Sequence, residues 1–111
     1  MTTVEVASVD LVNPGQYEVK ARYYLTANTF TSVGWKAKIT SLDNPPNRLP
    51  TPTALNQVTF NPPGQPDPWL VSGIQRLSKG KWKIEVIMTW TPNGGGVMTL
   101  LSTNSITVDV P

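Results

Sequence analysis

Leu77-Ser-Lys-Gly-Lys-Trp-Lys-Ile-Glu-Val-Ile-Met-Thr-Trp90 is the stretch that decides how this chain folds. From Lys81 onward its side chains alternate. Trp82, Ile84, Val86, Met88 and Trp90 fall on one face, and Lys81, Lys83, Glu85, Ile87 and Thr89 on the other. Successive side chains of an extended backbone point to opposite faces, so this period of two describes a strand with one face in a core and one in water. A row of large apolar side chains needs a second layer to cover it. The stretch therefore points to a two-sheet sandwich.

The same alternation appears elsewhere. Tyr17, Val19, Ala21, Tyr23 and Leu25 form an inward row, with Glu18, Lys20, Arg22 and Tyr24 pointing away. Val33, Trp35, Ala37 and Ile39 form another, with Lys36, Lys38 and Thr40 outside. Near the start, Val4 and Val6 alternate in one parity and Val9 and Leu11 in the other. A bulge near Ala7-Ser8, or an edge strand that changes sheets, accounts for that flip. Asn13-Pro14-Gly15 reads as a turn, residues 26–32 as a loop, and Thr91 to Gly96 as a hairpin loop. Trp69 to Leu77 reads as a strand interrupted by Gly73. Val97 to Leu101 and Ile106 to Val110 close the chain, with the break at Ser102-Thr103-Asn104 read as a bulge in one long last strand.

Asp43 to Pro68 differs in character. Eight of the eleven prolines lie there. Proline cannot donate to a strand ladder, so no central strand is expected, only a short edge strand at Val58-Thr59-Phe60 within a polyproline-like arm. The result is an all-β chain of about seven antiparallel strands, one domain over residues 1–111 with a proline-rich arm at 43–68.

Composition agrees. With 111 residues, 39% of them hydrophobic and 14% charged, the chain can build one core. Eleven prolines and eight glycines suit short strands and turns, and no window keeps a 3.6-residue apolar period. No run of about 18 apolar residues occurs, so no membrane insertion is expected. Met1-Thr2-Thr3-Val4-Glu5 has neither a basic nor an apolar leader region, and no secretory signal is expected in it. A net charge of +2 does not imply a nucleic-acid partner.

Leu77-x-x-Gly80-x-Trp82-x-Ile84-x-Val86 resembles the corner before strand F of immunoglobulin-like and fibronectin type III-like domains. In that corner an aromatic, usually tyrosine, opens the strand and its hydroxyl bonds back to the preceding backbone. Trp82 stands in that position; its indole N–H can donate, with a different geometry. Trp35 resembles the buried tryptophan of strand C, while the cysteine pair of antibody domains is absent. The resemblance implies an immunoglobulin-like sandwich and no particular activity.

Chemistry is narrowed by exclusion. Without histidine or cysteine, serine–histidine triads, cysteine–histidine pairs, thiolate metal sites and disulfides are all impossible. The seven carboxylates are scattered, with no acid–base spacing. Asp43, Asn44 and Asp67 carry the oxygens a calcium ion wants, but Asp43-Asn44-Pro45 and Asp67-Pro68 are also good turn sequences, and the turn is the expected role. The expectation is a chain that is not an enzyme and takes no cofactor or metal. Candidate partner-binding residues are Trp69, following Pro66-Asp67-Pro68, the outward Tyr24, and the outward Lys36, Lys38, Lys81 and Lys83. The lysines suit an anionic surface or simply a solvated face; the aromatics suit a sugar ring or a protein interface, and for Trp69 the plainer role is to pin the proline-rich arm onto the domain. A structural or interaction module follows, a component of a virion surface or bacterial appendage. Its partners would be protein subunits, including further copies of itself, with a long proline-rich arm to lie along a neighbour. The alternative is a carbohydrate-binding or adhesion module.

Overall fold

The computed structural model describes residues 2–25, 30–57 and 69–111, with the side chains of Phe30, Thr31 and Trp69 outside that description. Eight strands are present among these residues: β1 (Thr3–Asn13), β2 (Gln16–Tyr24), β3 (Phe30–Ser41), β4 (Ala54–Gln57), β5 (Trp69–Arg76), β6 (Gly80–Pro92), β7 (Met98–Leu101) and β8 (Ile106–Val110). All pairings are antiparallel. The order is β1-β2-β5-β4-β3-β6-β7, with β8 also paired to β6. The strip curls so that its two halves face each other as the layers of an all-β sandwich-like fold.

The inward rows read from the sequence meet in the middle. Val19, Ala21 and Tyr23 of one half and Trp82, Ile84, Val86 and Met88 of the other are all buried, with Trp35, Ala37, Leu55 and Val71 among them. Tyr23 and Trp35 pack ring to ring across the layers, 4.7 Å between centroids and tilted by 43°. The parity flip in β1 is a bulge: the register with β2 shifts between Val6 and Ser8, which turns Val9 inward again opposite Val19.

Two devices close the sides of the curled strip. On one side β4 belongs to both halves. Ala54 and Leu55 pair with Lys36 and Trp35 of β3, while Asn56 and Gln57 pair with Ser72 and Val71 of β5. A strand in the middle of the order corrects the expectation that 43–68 holds no central strand. The reason is local: between Pro52 and Pro62 no proline occurs, so every N–H needed for the split pairing is available. The suggested edge strand at Val58-Thr59-Phe60 lies outside the described residues. On the other side the β7–β8 connection dips inward. Two residues of β6, Glu85 and Val86, face four, Ser102 to Ser105, so the break is a bulge of two extra residues. The dip reaches β1. Thr103 N–H donates to Val4 O at 2.9 Å, and the Asn104 amide donates to Val6 O and accepts from Val6 N–H at 2.9 and 2.7 Å. The Asn104 side chain thus does for β1 what a paired strand residue would.

Two further expectations change. β3 begins at Phe30, inside the segment read as a loop, because the long β6 continues to Pro92 and offers Phe30 and Ser32 partners at Pro92 and Thr91. β5 runs unbroken through Gly73, which pairs with Val19. Glycine there serves the neighbouring strand: a Cβ would sit 2.7 Å from Ala54 O.

Candidate functional site

Polar groups gather in two places, one at the corner that opens β6 and one on the outer face of β1 and β2. At the corner Trp82 is fully buried and its indole N–H donates to Ser78 O at 2.9 Å, four residues back. Gly80 takes φ +142°, a conformation other residues avoid, and a side chain there would collide with Asn47 and Asp43. Asp43 accepts from Asn47 Nδ2 at 2.6 Å and from Lys81 N–H at 3.1 Å, while Asn47 Nδ2 also donates to Lys79 O. Asp43 is therefore a turn residue that docks the arm on the corner. Its proposed companion Asp67 lies outside the described residues. Gln75, 1% exposed, fixes the next stretch of the arm: it accepts from Thr53 N–H at 2.9 Å and donates to Thr51 O at 3.1 Å. Thr53 O in turn accepts from Ala37 N–H. Residues 43–57 thus lie on their own domain.

The candidate partner residues fall on different faces. Lys36 and Lys38 of β3 and Lys81 and Lys83 of β6 are on the outer face of one layer. That face is charge-balanced in part. Lys83 Nζ lies 3.7 Å from Glu85, which also stands opposite Lys38, and Lys81 Nζ lies 3.9 Å from Asp109. The Lys81–Asp109 pair, exposed on both sides, is worth little in stability. Tyr24 is on the outer face of the other layer, so it shares no site with the lysines. Trp69 takes the register position opposite Tyr23 at the start of β5.

Around Tyr24 the structure brings together residues that sequence reasoning missed. Glu5 pairs in register with Arg22 and Thr3 with Tyr24; together with Thr103 from the inward dip they line a recess of about 240 Å³. Arg22 Nη1 donates to Glu5 Oε1 at 3.0 Å, both side chains about half exposed. Counting pairs back from the Asn13-Pro14-Gly15 turn would find Glu5 opposite Arg22 only after allowing for both register shifts of β1, and no sequence signal announces Thr103. Directly beneath, Tyr23 points the other way. Its hydroxyl donates to Gln57 Oε1 at 3.3 Å, and burial pushes its pKa up from 10.0 to about 12.

Among the described residues no three His, Cys, Asp or Glu side chains come together as a metal centre would need, and no helix is long and apolar enough to cross a membrane. Comparison with protein-family models, with curated proteins and with solved structures returned no match.

Proposed function

We propose that this protein is a non-catalytic interaction module built on an immunoglobulin-like sandwich, and that it works as a component of a surface assembly, such as a virion surface or a bacterial appendage, by contacting other protein subunits. The immunoglobulin-like reading is supported by the strand order, since β1-β2-β5-β4 and β3-β6-β7 follow the ABED and CFG order of that fold. It is supported again by the backward bond from Trp82 to Ser78 and by the buried Trp35. The non-catalytic reading is supported by where the carboxylates are spent. Glu5, Glu18, Glu85 and Asp109 each lie beside a cation, and Asp43 is held by two N–H groups.

The observation that carries the assembly reading is a group of exposed apolar side chains at the corner end of the domain, with a second group, Val97 and Met98, at the opposite β6–β7 hairpin. Leu11 and Val12 at the β1–β2 hairpin are 63% and 44% exposed, and Leu42 and Leu49 beside the corner are 44% and 59% exposed. Gly15 O accepts from Leu77 N–H, and Leu42 N–H donates to Lys81 O, so hairpin, arm and corner share this end. Single exposed apolar residues are ordinary, but several at one end mark a contact surface. A photo-crosslinking residue placed at Leu11 or Leu49 of the protein in its native source should join it to one defined neighbouring subunit, whereas the same residue at the exposed Thr107 should not. Absence of a discrete adduct from both end positions would remove the reading.

A further inference from the structure

We propose that the recess formed by Thr3, Glu5, Arg22, Tyr24 and Thr103 binds one neutral sugar ring. This goes beyond the assembly reading and names a ligand class for a face distinct from the apolar end. Arg22 and Glu5 meet through one contact, Nη1 to Oε1 at 3.0 Å, and cancel each other. A ligand with a net charge would meet one like-charged group beside each opposite one. A vicinal diol gains from both: one hydroxyl donates to the carboxylate, and its neighbour accepts from the guanidinium.

The second element is the ring of Tyr24, 38% exposed and standing in register with Thr3 at the end of β2. It offers an apolar face for the C–H side of a sugar and a hydroxyl at its rim. Thr3 and Thr103 add further hydroxyls and methyls, in keeping with a ligand that is apolar on its faces and polar at its edge. Size is the third element. The recess, about 240 Å³, lies below the roughly 300–1,000 Å³ of pockets that enclose drug-sized molecules, so it fits a single ring and not a buried chain. The fourth is rigidity. Thr103 is held by its N–H on Val4 O, and neighbouring Asn104 bonds both polar groups of Val6, so the wall of the recess is fixed before a ligand arrives.

The test is an amide-resolved NMR titration of the full chain with the methyl glycosides of glucose, galactose and mannose, and with glucuronate as the charged control. A neutral glycoside should give saturable shifts confined to Thr3, Glu5, Arg22, Tyr24 and Thr103 and their chain neighbours, with a dissociation constant on the order of 1 mM. Tyr24→Ala should weaken it roughly tenfold with the remaining spectrum unchanged. Arg22→Lys, which keeps the charge but loses the planar fork, should also weaken it. Three results would overturn the proposal: no neutral glycoside shifting these amides, glucuronate alone binding there, or Tyr24→Ala binding as well as the parent. None of these touches the crosslinking result at Leu11 and Leu49, so the two readings fail separately.

Discussion

The corner that opens β6 and the recess over β1 and β2 use polar side chains in opposite ways. At the corner the buried polar side chains are directed at backbone: Trp82 at Ser78 O, and Gln75 at Thr51 and Thr53. In the recess Arg22 and Glu5 bond each other, side chain to side chain, and both stay half exposed. A buried group that satisfies backbone cannot be released without leaving an orphaned donor or acceptor, whereas an exposed pair can exchange partners at little cost. The first arrangement holds a fold together, and the second remains free to meet a ligand. Disturbing each in turn should give the larger effects at the corner.

The largest effect is expected at Trp82. Trp82→Ala removes the biggest fully buried side chain and leaves Ser78 O without its donor, and should cost about 3–5 kcal/mol in denaturant unfolding. Trp82→Phe keeps most of the packing and should fall well below that. If the two variants were equally destabilised, the indole bond and not the packing would be the main contribution of the corner.

Gln75→Leu comes next. It keeps the side chain's bulk in the core but strands Thr53 N–H and Thr51 O, and should cost about 2 kcal/mol. Hydrogen exchange should also accelerate at Thr53 before the core strands respond, because the arm loses its anchor first. Uniform acceleration would mean that the arm and the sandwich unfold as one unit.

Tyr23 offers a pH-resolved probe of the layer beneath the recess. Its folded pKa is raised to about 12 from 10.0, so the folded state holds the proton longer than the unfolded state. The sign follows: its contribution is fully present below pH 10 and is lost as pH rises from about 10 to about 12. Tyr23→Phe should lower stability near neutral pH by about 1 kcal/mol through the lost bond to Gln57, and should flatten the fall between pH 10 and 12. An unchanged alkaline slope in urea melts would show that Tyr23 titrates normally.

Much of the fold was legible because alternation reports directly on burial. The faces of β2, β3 and β6 and the bulge near Ala7 could be read residue by residue. What could not be read depends on long-range closure. β4 is four residues with split partners, too short to carry a period, and its position needs Gly73 on a strand distant in sequence. Gln75 sits on an inward row where a polar residue looks out of place until the arm's backbone is seen beside it. The recess was legible only through Tyr24. Glu5 reaches Arg22 across a bulged hairpin, and Thr103 arrives from the far end of the chain through the dip that Asn104 anchors.

The smallest effect is expected where the proposed ligand would bind. Arg22 and Glu5 are about half exposed, so their mutual attraction is screened and offset by the side-chain freedom they give up. A double-mutant cycle of Arg22→Ala and Glu5→Ala should give a coupling of roughly 0.2–1 kcal/mol, shrinking as salt is raised. That is less than either change at the corner, though the bond length of 3.0 Å is close to the 2.9 Å of the Trp82 and Gln75 bonds. The contrast isolates burial from geometry: bonds of similar length differ in worth because water competes for the exposed pair and not for the bonds of the buried Trp82 and Gln75. A coupling above about 2 kcal/mol that persists in high salt would place Arg22 and Glu5 with the structural group. It would also take from the recess the free partner exchange on which sugar binding there depends.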